Sequence, residues 1–151
     1  MTDRARREAL VREHMESENR HEFDATLKTF AAHPRYEIVA TGLVLDGPSE
    51  VAAYYQATRV AFPDQRNELV SLRHADDAVI VEFDLHGTHR GELYGFPPTG
   101  RSFKVRMLAM FLFERDELAC ERVYFDSLSM LAQLGLAPAP PPEAPSGRQE
   151  S

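Results

Sequence analysis

Two long runs of alternating side chains constrain the fold of this chain more than any other feature. In residues 78–92, apolar side chains at Val79, Val81, Phe83 and Leu85 alternate with polar ones. In residues 101–114, the alternating apolar positions are Phe103, Val105, Met107, Ala109, Phe111 and Phe113. A period of two is that of a strand with one covered and one wetter face. Both runs therefore predict strands of a half-covered sheet.

The first third of the chain has helical spacing instead. An apolar stripe that includes His14 predicts a helix over residues 4–20. A second, short helix is predicted to end at His33-Pro34, because the residue before a proline disfavours the helical conformation.

The remaining elements follow from turn and capping signals. A third helix is predicted from Pro48 to Pro63, with Asp46 or Gly47 as its cap. Further strands are predicted over residues 36–41, 69–74 and 118–125, and a last helix over residues 127–134 with Gly135 as its C-terminal cap. Helices followed by strands in hairpin succession indicate the α+β class, with a curved antiparallel sheet that packs its helices on one face. Such a sheet leaves a cone-shaped pocket, where chemistry is expected.

Composition sets the domain organisation and the class of partner. The chain has 151 residues, 43% of them apolar and 27% charged, which is ordinary globular usage. We predict a single domain over residues 1–136 and a disordered, proline-rich tail over residues 137–151. The net charge of −7 argues against a nucleic-acid partner. No apolar run is long enough to cross a bilayer, and the N-terminus lacks the apolar core of a signal peptide. We therefore expect a soluble, cytoplasmic protein with no membrane partner.

Neither a metal nor a cofactor is predicted. His86 and His89 are an odd number of residues apart on a strand, so they point to opposite faces. No set of carboxylates and histidines has convincing ligand spacing, and the single cysteine, Cys120, excludes a cysteine-based zinc site. No glycine-rich phosphate loop or nucleophile-elbow serine is present.

His89 is one candidate catalytic residue. If the register of the first alternating run continues past Gly87, His89 falls on the covered face, where it could polarise a carbonyl oxygen. A bulge at Gly87 would reverse this facing. Alternatively, His89 is a hydrogen-bonded histidine in the core or rim of the sheet.

Asp126 is the other candidate catalytic residue, at the junction of the last strand and the last helix. A carboxyl group in an apolar pocket has a raised pKa and can act as general acid and base in turn. The alternative is that Asp126 or Ser127 caps the last helix, since Asp is a favoured N-cap residue. A carboxylate bound to backbone amides would have a lowered pKa and be a poor acid.

Several motifs together resemble the SnoaL-like polyketide cyclases of the NTF2-like superfamily. They are Phe62-Pro63-Asp64, Gly87-Thr88-His89-Arg90-Gly91, Pro97-Pro98-Thr99-Gly100-Arg101, Phe125-Asp126 and Gln133-Leu134-Gly135-Leu136. The resemblance spans about residues 5–136 and implies a cone-shaped α+β barrel. It also implies a cofactor-free aldol ring closure, with Asp126 as acid/base and a pocket histidine, best matched by His89, assisting.

We therefore expect a cyclase or isomerase-type enzyme acting on an apolar, carbonyl-containing small molecule. The alternative is a non-catalytic protein of the same fold that binds a small molecule. Epoxide hydrolysis or ketosteroid isomerisation would need a second cavity carboxylate or a Tyr–Asp pair, and the sequence alone locates neither. The side chains predicted to bind substrate are Phe83, Phe103, Met107, Phe111 and Tyr124, with Phe125 in the same wall.

A homo-oligomer is also expected. The second alternating run becomes apolar on its other face at Leu108, Met110 and Leu112. A homodimer or higher oligomer through the sheet would cover these side chains.

Overall fold

The computed structural model describes residues 3–138. Within that range lie four helices and six strands: α1 (Asp3–Asn19), α2 (Phe23–Lys28), β1 (Phe30–Ile38), β2 (Leu43–Asp46), α3 (Pro48–Ala61), β3 (Arg66–His74), β4 (Ala78–Thr88), β5 (Ser102–Glu114), β6 (Glu117–Phe125) and α4 (Ser127–Gln133). Most of the tail predicted to be disordered, from residue 139 onward, lies outside the described residues. Between residues 3 and 138, no helix has both the length and the apolar character needed to span a membrane.

All six strands belong to one sheet with the order β2-β1-β6-β5-β4-β3. Only β1 and β6 run parallel; every other neighbouring pair is antiparallel. The sheet is curved but stays open, with β2 and β3 at its edges. Apolar side chains of α1 and α3 share one core with the inner face of the sheet. The predicted α+β class and the mostly antiparallel sheet curved around helices are confirmed.

The second helix is shorter than predicted. It ends at Lys28, and β1 runs through His33 and Pro34, so the prediction of a helix up to His33-Pro34 is wrong. The pairing of β1 with β6 shifts register between Phe30 and Arg35. A proline, which cannot donate to a ladder, is tolerated at such an irregularity.

The first alternating run ends at Thr88 rather than Glu92. Its pairing with β5 continues without a bulge through Gly87, which lies opposite Phe103. A Cβ atom at Gly87 would come within 2.7 Å of the Phe103 ring, so a larger residue here would displace that ring. The chain then leaves the sheet at His89.

The last strand contains a β-bulge. Leu118 pairs with Phe113 and Cys120 with Leu112, which leaves Ala119 as an extra residue. A bulge changes the parity of the residues that follow it. Leu118 and Glu121 therefore both belong to the buried face, although an odd number of positions separates them.

Candidate active site

A cavity of about 550 Å³ lies between the helices and the inner face of the sheet. Its wall is mostly apolar and takes side chains from α1, α3, α4, all six strands and the loop after β4. Phe83, Met107 and Phe111, three of the residues predicted to bind substrate, line this cavity, as does Phe125. Their role in binding remains a prediction.

Two residues of the predicted wall lie elsewhere. Phe103 is buried, but its ring packs edge-on against Phe62 at 4.9 Å and outside the cavity wall. Tyr124 is 38% exposed, because strand alternation turns it away from the cavity that its neighbours Val123 and Phe125 line. The structure therefore places Phe103 and Tyr124 outside the cavity wall, and their role in binding substrate stays a prediction.

His89 is fully buried just beyond β4 and does not line the cavity. Its Nδ1 accepts a hydrogen bond from the Thr99 backbone N–H at 3.2 Å and lies 3.1 Å from Thr99 Oγ1. This is the alternative in which His89 is a hydrogen-bonded residue at the rim of the sheet. Direct participation of His89 in catalysis remains a prediction. In this structure its side chain is not on the wall of the cavity.

Asp126 is exposed and caps α4. Its Oδ1 accepts a hydrogen bond from the Ser129 backbone N–H at 3.1 Å, and it is absent from the cavity wall. The expectation of a carboxyl sunk in an apolar pocket is corrected, because the start of α4 uses this side chain as its N-cap. A catalytic role for Asp126 remains an untested prediction.

The buried carboxyl on the cavity wall is instead Glu121, which is 4% exposed. It lies on β6 between Tyr36 of β1 and Phe111 of β5. His14 reaches it from α1, with its ring held edge-on against Phe30 and Phe111 at centroid distances of 5.2 and 5.1 Å. The packing of aromatic rings therefore fixes the histidine beside the carboxyl.

His14 lies between two carboxyl groups. Its Nε2 is 3.0 Å from Glu18 Oε1 and 3.0 Å from Glu121 Oε2. Glu18 follows His14 by four residues on α1, so the two side chains share one face of the helix. We call His14, Glu18 and Glu121 the buried acid cluster.

A hydrogen-bond chain fixes one proton of the His14 ring. The Thr29 hydroxyl donates to the Thr26 carbonyl at 2.6 Å, so Thr29 Oγ1 acts as acceptor for His14 Nδ1–H at 2.8 Å. Nδ1 therefore carries a proton. Any further proton of the cluster must reside on Nε2 or on one of the two carboxyl groups.

The pKa values indicate that the cluster holds this further proton at neutral pH. Burial alone would lower the pKa of His14, but the adjacent carboxylates of Glu121 and Glu18 outweigh it and raise the pKa to about 10. Burial raises the pKa of Glu121, and the positive charge of His14 only partly opposes this. Both directions favour the protonated state of the pair.

The ligand atoms of the same three side chains lie within 4.8 Å of one another, a spacing that a metal ion could bridge. Metal binding needs a deprotonated Nε2. Because the pKa of His14 is raised to about 10, a proton competes with any metal for that nitrogen at neutral pH. We interpret the cluster as a site that holds a proton.

Arg59 supplies a positive charge beside the cluster. It lines the cavity, its Nη2 lies 3.9 Å from Glu18 Oε2, and its guanidinium lies over the Phe23 ring at 5.0 Å. Burial lowers the pKa of Arg59, although an arginine retains its charge. The carboxyl groups of Glu18 and Glu121, one shared proton and this guanidinium sum to zero charge. The other charged residue of the wall, Glu92, is exposed. The inner polar part of the cavity therefore suits an uncharged ligand.

Three of the four tyrosines that line the cavity lie on β1 and α3 and add neutral hydroxyl groups to the wall: Tyr36, Tyr54 and Tyr55. Burial raises the pKa of each of them, so all three keep their protons at any physiological pH. Among the described residues, Tyr55 Oη has no hydrogen-bond partner. Neutral phenols of this kind can donate a hydrogen bond to a carbonyl or enolate oxygen.

Sequence reasoning missed the buried acid cluster. His14 was visible only as a member of an apolar helical stripe, a position typical of a core residue. Glu121 follows the bulge at Ala119, which obscures the alternation of β6. The signal that could have revealed the cluster is the spacing of four residues between His14 and Glu18 on the buried side of α1.

Comparison with known proteins identifies the family. The family profile described as SnoaL-like polyketide cyclase matches residues 8–134. The chain belongs to the SnoaL-like polyketide cyclase family. The resemblance drawn from its motifs is thereby confirmed. None of the curated proteins matches the sequence of this SnoaL-like chain.

Solved structures agree with this assignment at the level of the fold. AclR, a proposed hydroxylase from Streptomyces galilaeus, is 22% identical with a TM-score of 0.78, covering 91% of this chain and 86% of AclR. A protein from Catenulispora acidiphila with a ketosteroid isomerase-like fold is 21% identical with a TM-score of 0.73, covering 84% and 92%. IdmH, a proposed polyketide cyclase from Streptomyces antibioticus, is 25% identical with a TM-score of 0.72, covering 85% and 97%. The fold is thus the NTF2-like fold expected of the SnoaL-like family.

Proposed function

We propose that this chain is a cyclase or isomerase-type enzyme that performs cofactor-free acid/base chemistry on an uncharged, apolar molecule containing a carbonyl group. The observation that carries the proposal is the buried carboxyl of Glu121 on the wall of an apolar cavity. Burial raises the pKa of this group, the direction that allows a carboxyl group to accept a proton and return it. Membership of the SnoaL-like family supports the same reaction class.

The proposed chemistry moves one proton twice. The Glu121 carboxylate removes a proton from the carbon next to the substrate carbonyl, and the C–H electron pair forms an enolate. A neutral hydroxyl of Tyr36 or Tyr54 donates a hydrogen bond to the enolate oxygen. In ring closure the enolate carbon bonds to a second carbonyl carbon, and Glu121 returns its proton to the new alkoxide. In isomerisation the proton returns to a different carbon.

His14 and Glu18 have a supporting role in this scheme. The His14 ring lies 3.0 Å from Glu121 Oε2, so its positive charge stabilises the carboxylate form that must act as base. The carboxylates of Glu121 and Glu18 together keep the pKa of His14 high and so keep the imidazole charged. His14 is therefore a positioning residue that acts through Glu121.

The cavity also limits the size of the substrate. Its volume of about 550 Å³ lies within the usual range for small-molecule sites. The wall is mostly apolar, and the charges of the buried acid cluster and Arg59 balance one another. An aromatic or alicyclic ketone without ionised groups would suit both properties.

The second candidate function is non-catalytic binding of the same class of ligand. The apolar cavity with its phenol groups favours it equally well, since binding alone needs no proton transfer. The two functions differ in whether Glu121 exchanges a proton with the bound molecule.

Solvent-deuterium exchange at the α-carbon of 2-tetralone, followed by NMR, tests the proposal. We expect the protein to accelerate the exchange and Glu121→Gln to reduce the acceleration by about 10²–10⁴-fold, the usual contribution of a general base. Glu121→Gln keeps the size of the side chain, and isothermal titration calorimetry checks that the variant still binds 2-tetralone.

Asp126→Asn is the matched control. If Asp126→Asn abolishes exchange and Glu121→Gln does not, the acid/base role returns to Asp126. If the unchanged protein binds 2-tetralone and related ketones but accelerates no exchange, the chain is a binding protein. Full exchange in both variants would contradict the acid/base role of either carboxyl group.

A further inference from the structure

The loop of residues 90–100, between β4 and β5, reaches the wall of the cavity. Its residues Glu92, Leu93 and Tyr94 line the cavity. The motifs Gly-Thr-His and Pro-Pro-Thr-Gly, which carry the family resemblance, lie at its two ends. The proposed chemistry gives this loop no role.

The first end of the loop is held tightly against α3. The backbone N–H of Arg90 donates to the Ala61 carbonyl at 2.9 Å. A Cβ atom at Gly91 would lie 2.1 Å from the Val60 carbonyl oxygen, so only glycine permits this approach. The first end of the loop is therefore fixed against the C-terminal end of α3.

His89 holds the two ends of the loop together. Its backbone carbonyl accepts from Gly100 N–H at 2.8 Å, and its backbone N–H donates to the Arg101 carbonyl at 2.8 Å. Its ring Nδ1 accepts from the Thr99 N–H at 3.2 Å. Because a backbone N–H can only donate, Nδ1 is the acceptor of this bond. His89 thus uses its backbone and its ring to close the base of the loop.

The tip of the loop is a tight turn. Leu93 and Phe96 exchange both backbone hydrogen bonds, at 3.1 and 2.8 Å. The two residues between them have positive φ, 49° at Tyr94 and 81° at Gly95, which is the pattern of a type I′ turn. Such a turn holds its side chains in defined directions, so Leu93 and Tyr94 form a shaped part of the wall.

The tip combines this shape with exposed aromatic surface. Tyr94 is 69% exposed and Phe96 is 45% exposed, although Tyr94 also lines the cavity. An exposed phenol at the edge of an apolar cavity is placed to cover a ligand that extends beyond it. The tip can therefore discriminate between a ligand that the cavity encloses and one that reaches past Tyr94.

We infer that the turn Leu93–Phe96 determines which ligands the cavity accepts, and that His89 is the positioning residue that fixes this turn. The inference rests on the proposed function only in that the cavity binds a small molecule; it does not require Glu121 to act as a base. It gives His89 a role without contact with the reacting atoms, which agrees with its complete burial.

Ligand selectivity provides the first test. Isothermal titration calorimetry compares the dissociation constants of 2-tetralone and of its longer 6-phenyl derivative. We expect Tyr94→Ala and Leu93→Ala to change the ratio of the two constants by about tenfold or more. Val70→Ala, an exposed apolar side chain on β3 outside both the turn and the cavity wall, is the matched control and should leave the ratio unchanged. An unchanged ratio in the Tyr94 and Leu93 variants would overturn the role of the turn.

A comparison of His89→Gln with Thr99→Val provides the second test. Thr99→Val removes the hydroxyl partner of the ring and leaves His89 in place, so a positioning role predicts the same kind of defect in both variants. We expect the dissociation constant of 2-tetralone to rise in both variants, and trypsin to cleave both faster at Arg90 or Arg101. Where the unchanged protein accelerates exchange, KM should rise in both variants while kcat is nearly unchanged. Loss of kcat in His89→Gln alone would overturn the positioning role in favour of a catalytic one.

The two proposals fail in different ways. Loss of exchange in Glu121→Gln with no change of selectivity in the turn variants would overturn only this inference. Altered selectivity without any exchange in the unchanged protein would overturn only the enzymatic function.

Discussion

His14 Nε2 lies 3.0 Å from Glu121 Oε2, so a residue of the first helix and a residue of the last strand form a buried ion pair inside the domain. Both side chains are almost completely buried. Removing one partner of such a pair leaves the other charge buried without compensation. The resulting loss of stability exceeds the net stability that the pair contributes. The pair therefore connects α1 to β6 at the wall of the cavity, where Glu121 is proposed to act.

Replacing His14 should be strongly destabilising. We expect His14→Gln to lower the free energy of unfolding by about 3–5 kcal/mol, because Glu18 and Glu121 are then left side by side without a cation between them. Urea unfolding followed by circular dichroism measures this change. His33→Gln is the control, because the ion pair of His33 with Asp46 is on the surface, with the His33 side chain 70% exposed. A similar loss in the two variants would contradict the buried ion pair.

Stability should fall as the pH rises above neutrality. The pKa of His14 is raised from an ordinary 6.5 to about 10 by the fold. A group of this kind stabilises the fold fully below its unfolded pKa, and the stabilisation is lost as the pH rises through the folded pKa. The raised pKa of Glu121 acts in the same direction. Unfolding free energies measured from pH 6.5 to 10 should decrease, and this slope should be smaller in His14→Gln, compared at equal ionic strength.

Asp126 should stabilise the fold through its role as the N-cap of α4. Asp126→Ala removes the acceptor of the Ser129 N–H and should cost about 1 kcal/mol, whereas Asp126→Asn keeps an N-cap oxygen and should cost less. Thermal unfolding of the two variants measures the difference. An alanine variant as stable as the unchanged protein would show that the cap contributes nothing.

The outer face of the sheet gives a prediction about assembly. Leu108, Met110 and Leu112 lie on β5 and are only partly buried in the single chain. We propose that a second copy of the chain covers them, as the sequence led us to expect. Sedimentation at micromolar concentration should give a dimer or larger oligomer, and Met110→Arg should shift it towards monomer. A monomeric unchanged protein would contradict the proposal.

The fold could be predicted from sequence where one signal dominated. Pro48 and Pro63 mark the limits of α3, because proline is favoured in the first turn of a helix and disfavoured in its interior. The alternation of β4 and β5 was readable without any tertiary contact. The path around Pro34 could not be predicted, because the irregular pairing with β6 that accommodates a proline is a tertiary contact. Local sequence favoured ending a helix there.

The site was harder to predict than the fold, for a related reason. His89 and Asp126 were chosen by residue type and motif, and both side chains bind backbone groups near them in sequence. Glu121 and His14 acquire their properties from burial and from each other, across most of the chain. Burial of a charged pair depends on the packed core and leaves little trace in local sequence.

The extra residue at Ala119 has a consequence for how cavities of this kind can change size. Deleting it would leave Leu118 opposite Phe113 and Cys120 opposite Leu112, so every side chain of β6 would keep its face. The strand would lose the bend and the added twist that a bulge gives it. A single deletion outside the cavity wall could therefore straighten the sheet and open the space beneath it while keeping every lining residue. The capacity of the cavity is in this sense a property of the backbone, separable from the chemistry of the side chains that face it.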